Sequence, residues 1–405
     1  MGKLAASAQR LRERPGRAQP ARTQASLALH PGSAVSLSIG VAIDGHEPLA
    51  HVLLRVAALD AGGSLDSLWL ADERFRRDVF VSLGALAAST KRLRLATCVT
   101  DPFIRHPALT GAAIATVEDL APGRAILGLG AGASGFGALD VRRNRPATAL
   151  RDMIVFLRRF WTPGEPFTFE RDTLTFRDSR LGFRPALSAP SAASAPSALA
   201  APLTPSAIPI YLAGRGPRIL ELAGELADGV LVATFLDGPL LDASLRRVDA
   251  GAARRDPALP ALRRVSWAYV SIDDDRDAAR NAVRLGIAVA LWGSRPIIEE
   301  LGVPLPAALR TLMDGRAYSI EPETIDQAAA LIPEELIDQC SIAGAPGECA
   351  ARLRGLATRG FDEVACWLFE TPGVPQGAMV ERLAGEVVPH LRALETRQPE
   401  IIPGQ

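Results

Sequence analysis

Four short stretches carry residue types that can do chemistry. In residues 125–137, AILGLGAGASGFG, an apolar run is followed by Gly130, Gly132 and Gly135 in the spacing G-x-G-x-x-G. Where such glycines open a helix, its first N–H groups hold a pyrophosphate. A second stretch, Gly214-Arg215-Gly216-Pro217, places a proline pre-set for the first helical turn behind two glycines. Backbone N–H groups are then free to meet an anion, the helix dipole favours a phosphate, and Arg215 is a possible extra charge. The third, AIDGHEP, brings Asp44, His46 and Glu47 together as acid and base types, and the fourth sets Asp72 and Glu73 beside Arg74. Glu73 either handles a proton, provided an apolar pocket raises its pKa, or pairs with Arg74, Arg76 or Arg77.

These stretches hang on a regular beat of elements. Apolar runs at 35–43, 65–71, 93–99, 124–130, 208–213, 228–234, 263–271 and 362–369 read as strands, each followed by a helical pattern. Eight βα units with nearly continuous apolar strands imply a parallel sheet covered on both faces. Closing it gives a (β/α)₈ TIM barrel. The doubly wound alternative wants a helix starting on the glycines after Leu129. A polar stretch to Arg145 intervenes instead, with the next helix opening at Pro146. The glycines are therefore expected as a floor at the end of the fourth strand, where barrels place their sites and a flat ligand can lie against backbone; a tight turn needing positive φ is the alternative.

Composition narrows the function. The chain has 405 residues, 48% hydrophobic, with 45 Lys+Arg against 45 Asp+Glu. It has no net field for nucleic acid, and no apolar run reaches the length of a membrane span. Cys98, Cys340, Cys349 and Cys366 are scattered, which favours a reducing compartment, the cytoplasm, over disulfides or structural zinc. Residues 1–34, rich in Arg, read as a disordered extension, with a transit peptide as the alternative. The Ala/Ser/Pro segment 186–207 reads as a flexible insertion after strand four, residues 35–396 as the barrel domain and 397–405 as a tail.

The run from WLADERF to ILGLGAG (residues 69–132) resembles the luciferase-like oxidoreductase superfamily, barrels that use FMN or the deazaflavin coenzyme F420. IPIYLAGRGPRILELAGELADGVLVA (208–233) is similar to its second signature, nearest to the methylenetetrahydromethanopterin reductase-like branch. The resemblance implies a homodimer, a cofactor phosphate at Ala213, Gly214, Arg215 and Gly216 with Ala233 and Thr234 completing the cradle, and a ring resting on the end of strand three at Thr97, Cys98 and Val99. It places a non-prolyl cis peptide at Cys98–Val99, Asp72 against the deazaflavin, and Glu73 where relatives often carry a catalytic histidine. His46 and Asp44 are the next catalytic candidates, and Cys98 is expected as a small buried residue rather than a nucleophile. His106 is expected to cap a helix or face solvent. Two departures keep the substrate open: the acid that methanopterin reductases carry in strand one is replaced around Gly40 and Val41, and Ala133 stands where sugar-phosphate dehydrogenases carry a glutamate. The expected function is F420-dependent hydride transfer to or from a small organic substrate; alternatives are an FMN-dependent reductase or monooxygenase, or a cofactor-binding barrel without catalysis.

Overall fold

The computed structural model describes residues 36–132, 135–185, 208–314 and 322–396. The expected extension, insertion and tail, and Ala133, lie outside them. In chain order the strands are β1 (Ser38–Ile43), β2 (Ser67–Leu70), β3 (Arg94–Thr97), β4 (Ala125–Leu129), β5 (Phe167–Arg171), β6 (Leu174–Ser179), β7 (Ile210–Gly214), β8 (Gly229–Ala233), β9 (Arg263–Ile272), β10 (Ser341–Gly344) and β11 (Glu363–Leu368). Parallel pairing runs β9-β11-β1-β2-β3-β4-β7-β8 and returns from β8 to β9. The sheet is a closed barrel with no free edge among those eight strands, each of which is one of the predicted apolar runs. β10 is an addition, paired in parallel with the end of β9.

Alternation along the strands builds the interior. Ala42, Trp69, Ala96, Ile126, Tyr211, Leu231, Val265 and Ala365, one from each barrel strand, form a single buried inner layer. Cys98, Ala213, Trp267 and Trp367 pack against it. Nearer the strands' N-terminal ends, the fully buried Glu363 accepts hydrogen bonds from Arg94 Nη2 at 2.8 Å, Trp69 Nε1 at 3.1 Å and the Ser67 hydroxyl. Gly40 belongs to this level because a Cβ there would meet Ser67 Oγ at 2.1 Å. Burial pushes the Tyr211 phenol up to about 12.

The opposite faces of the strands are covered by α1 (Leu49–Gly62), α2 (Val79–Ser89), α3 (Pro107–Leu120), α4 (Pro146–Phe160), α5 (Pro217–Leu226), α6 (Gly238–Ala252) and α7 (Arg276–Leu301). Between β9 and β10 follow α8 (Ala307–Met313), α9 (Pro322–Ala330) and α10 (Glu334–Cys340). The chain ends with α11 (Pro346–Thr358), α12 (Gln376–Arg382), a π-helical turn at Leu383–Val387 and α13 (Val388–Thr396). Start signals are chemical: Asp78 accepts from Phe80 N and Val81 N at 2.9 and 3.0 Å, while α3, α4 and α5 open on proline. No described helix is long and apolar enough to cross a membrane.

The hairpin β5–β6 was not anticipated. Its Phe167, Phe169 and Phe176 pack on Phe156 of α4 at centroid distances of 5.1 to 6.0 Å, so it covers the outside of the barrel rather than its mouth. His106 caps a helix, as expected. Its Nδ1 accepts from Ala108 N at 3.1 Å, capping α3, and its Nε2 lies 3.0 Å from Thr175 O on β6. Accepting on one nitrogen and donating on the other fits the neutral ring.

Candidate active site

The C-terminal strand ends converge on a mouth with two unlike sides. On the β3, β4, β7 and β8 side stand small residues: Cys98, Gly130, Ala213, Gly214 and Ala233. On the β9 and β11 side stand Trp267 and Trp367, ring centroids 5.4 Å apart, and above them Tyr269 and Phe369, edge to face at 5.4 Å.

Cys98–Val99 is a non-prolyl cis peptide, at the position the family resemblance implied. Burial pushes the Cys98 thiol well above its usual pKa despite the opposing Arg215 charge, so it stays protonated at neutral pH and is no nucleophile. Thr97 does not reach the mouth. It is fully buried, and its hydroxyl donates to Gly128 O at 2.8 Å and accepts from Gly128 N at 2.9 Å, locking β3 to β4.

The glycine-rich stretch follows neither ligand pattern in detail. No helix opens on it; a short 3₁₀ turn, Gly137–Leu139, precedes α4. A Cβ at Gly130 would meet Val99 Cγ2 at 2.5 Å, one at Gly132 the Phe136 ring at 2.6 Å, and one at Gly135 Arg74 Cβ at 2.6 Å. Gly132 and Gly135 also need positive φ, 68° and 73°. What presses on all three glycines is the protein's own side chains; Gly130, at the end of β4 beside Val99, is the one of them without a positive φ. Phe136 is held between Arg74 at 4.5 Å and Arg143 at 5.0 Å.

Asp72 Oδ2 accepts from Thr100 Oγ1 at 2.7 Å and Arg105 Nη1 at 2.9 Å, both on the β3 side, and its Oδ1 is left as an acceptor among the described residues. Arg74 turns inward to the buried Asp101 and to Asp72 O at 2.8 Å. Glu73 is exposed, without the apolar enclosure the proton-donor expectation requires. Asp44 and His46 are joined: Asp44 Oδ1 accepts from His46 N at 3.0 Å, and Oδ2 lies 3.1 Å from His46 Nδ1. Arg77 Nη1 fixes this turn by donating to Gly45 O and His46 O at 2.7 and 2.8 Å.

The α5 start carries the anion expectation with one change. Gly216 is the N-cap, has no side-chain cap, and nothing lies within 4 Å of where its Cβ would stand. N–H groups and open space coincide there. Arg215, however, turns from the helix into the mouth: its Nε donates to Thr234 Oγ1 at 3.0 Å and its Nη2 lies 3.3 Å from Tyr269 Oη. Among the described residues it has no carboxylate partner. Thr234, fully buried, holds φ at +89°, an uncommon and strained conformation for a β-branched residue. Tyr269 and the aromatic wall were missed from the sequence; inward alternation on β9 and β11 was the signal.

Strand-end chemistry at one face of a closed barrel defines a (β/α)₈ protein whose ligand sits at the mouth. The luciferase-like monooxygenase family pattern matches residues 26–363, and the chain belongs to that family. It is 29% identical over 336 residues to a 5,10-methylenetetrahydromethanopterin reductase of Archaeoglobus fulgidus, covering 83% of this chain and 93% of the relative. It is 30% identical over 321 residues to an F420-dependent glucose-6-phosphate dehydrogenase of Beutenbergia cavernae, covering 77% and 82%. In fold it is similar to the coenzyme F420-dependent tetrahydromethanopterin reductase of Methanopyrus kandleri, with TM-score 0.71 at 22% identity, covering 88% and 99%.

Proposed function

We propose that the protein is a coenzyme F420-dependent oxidoreductase that passes hydride between the deazaflavin and a small organic substrate. One observation carries the reading: the small-residue side of the mouth adjoins an uncapped helix start with open space at Gly216. A flat ring rests on the first, and its phosphate accepts N–H bonds at the second. Asp72 Oδ1 accepts from the ring edge, and Ala213 and Ala233 leave room for its side chain. When bound, F420 gives or takes the hydride.

The chain's residues supply placement and the proton. Of the acid–base candidates, His46 has a carboxylate to orient it, so the Asp44–His46 pair is the proton-handling group of this reading. Exposed apolar residues on the neighbouring helices α2 and α3, namely Val81, Leu109 and Leu120, support a homodimer, checked by sedimentation. Four free cysteines support a cytoplasmic setting.

The test is a titration of purified protein with F420 and, separately, FMN, followed by cofactor fluorescence. Saturable F420 binding that Gly216→Asp weakens, more at low salt than at high, supports the reading. Binding of FMN alone replaces the cofactor with its runner-up, and binding of neither removes the proposal.

A further inference from the structure

The aromatic side of the mouth has no part in the proposed cofactor site. Trp267 lies in register between Ala233 and Ala365, and Trp367 between Ala42 and Tyr269, so Trp267 is flanked by small residues on both sides and Trp367 on one, and both indoles keep part of their surface open. Phe369 is fixed from behind: a Cβ at Gly286 of α7 would meet its Cζ at 2.3 Å. Three large ring surfaces therefore make a wall with little freedom to move. Its polar edge is the Tyr269 hydroxyl, tied to the Arg215 guanidinium.

We propose that this wall is the substrate subsite and takes a compact, uncharged, one-ring carbonyl compound or the matching secondary alcohol. The substrate's ring stacks on Trp267 and Trp367, and its single oxygen meets Tyr269 and Arg215. The reaction supports the same polar edge. Hydride adds to the carbonyl carbon, the C=O π pair moves to oxygen, and the oxygen takes a proton; alcohol oxidation is the reverse. Negative charge develops on that oxygen, and a guanidinium with only neutral partners is already in place to meet it. The reductant is the reduced deazaflavin of the proposed function, on which this inference rests.

The experiment compares cyclohexanone, acetone and glucose 6-phosphate as substrates for the wild type and for Trp267→Leu, Trp367→Leu and Gly286→Ala, with F420 affinity measured separately. The expected result is turnover of cyclohexanone. Each tryptophan variant should raise its KM about tenfold while F420 affinity changes less than twofold. Gly286→Ala, by pushing Phe369 forward, should lose cyclohexanone selectively over acetone. Turnover of glucose 6-phosphate in place of the ketone overturns the inference, as does loss of F420 affinity in the tryptophan variants with KM unchanged. If the wild type binds no F420, the functional reading fails by itself. The subsite is then judged on intrinsic fluorescence: saturable quenching by cyclohexanone that Trp267→Leu abolishes keeps it, and absence of such quenching ends it.

Discussion

At the bottom of the barrel Glu363 accepts from Arg94, Trp69 and Ser67, whereas at the mouth Arg215, among the described residues, meets the hydroxyls of Thr234 and Tyr269 and no carboxylate. Glu363 stands on β11 and Arg215 directly follows β7 of the same closed sheet, and each makes hydrogen bonds with neutral neighbours. The difference is the counter-charge. A carboxylate already matched by a guanidinium has little left to offer a ligand, so Glu363 ties β11 to β2 and β3 at the end of the barrel where stability resides. A guanidinium held by two hydroxyls is oriented yet electrically unbalanced, which suits it to charge that appears on a ligand during reaction.

The comparison can be broken first at its largest expected effect. Arg215→Met removes the mouth's charge and keeps its length; turnover should fall about 10² to 10³-fold, read from kcat, with folding stability almost unchanged. A variant that unfolds easily yet works normally when folded would make Arg215 a structural residue like Glu363.

Glu363→Gln is the reverse case. It leaves Arg94 facing a neutral amide at the closed end of the barrel, and the urea midpoint should report a loss of about 3 kcal/mol. That is the lower edge for breaking a buried pair, because the Arg94 side chain keeps 25% of its surface exposed. Cofactor affinity of the folded enzyme should hold. Lost affinity at full stability would move Glu363 into the site.

Gly130→Ala separates the glycine stretch from both ends. The new methyl meets Val99 Cγ2 at 2.5 Å and forces Val99 to shift, so a stability loss of about 1 to 3 kcal/mol should accompany weaker cofactor binding. Weaker binding with no loss of stability would favour a ligand, rather than Val99, as the neighbour that requires glycine there.

These contrasts follow what the sequence could and could not convey. All eight barrel strands were legible because burial on both faces makes each a nearly continuous apolar run, and α4 because Pro146 marks its start. The β5–β6 hairpin was missed although Phe-Thr-Phe and Leu-Thr-Phe alternate around Asp172 and Thr173. Alternation over so few residues, beside an Ala/Ser/Pro tract, was too short to stand out. Glycine at 130, 132 and 135 announced close approach but not what approaches. The link from Arg215 to Tyr269 spans 54 residues and exists only because β7 and β9 flank β8 in a closed sheet. Glu73 was singled out by its place after strand two and by the family resemblance, and position does not say how exposed a loop side chain is.

That last residue gives the smallest expected effect and sharpens the comparison at its edge. Glu73 and His46 are both exposed at the rim, the His46 side chain by 61%, but His46 has Asp44 at 3.1 Å to fix its ring. A charge at the mouth is useful only if it is held where the reaction occurs, and at an exposed position a carboxylate's influence is screened by water and salt. Glu73→Gln should therefore change kcat/KM less than about twofold and leave the shape of the pH–rate profile intact. A drop of tenfold or more with loss of one limb of that profile would transfer the acid–base role from His46 to Glu73. It would also mean that the loop following β2 closes over the mouth when ligand binds, bringing an exposed carboxylate into contact with the reacting atoms.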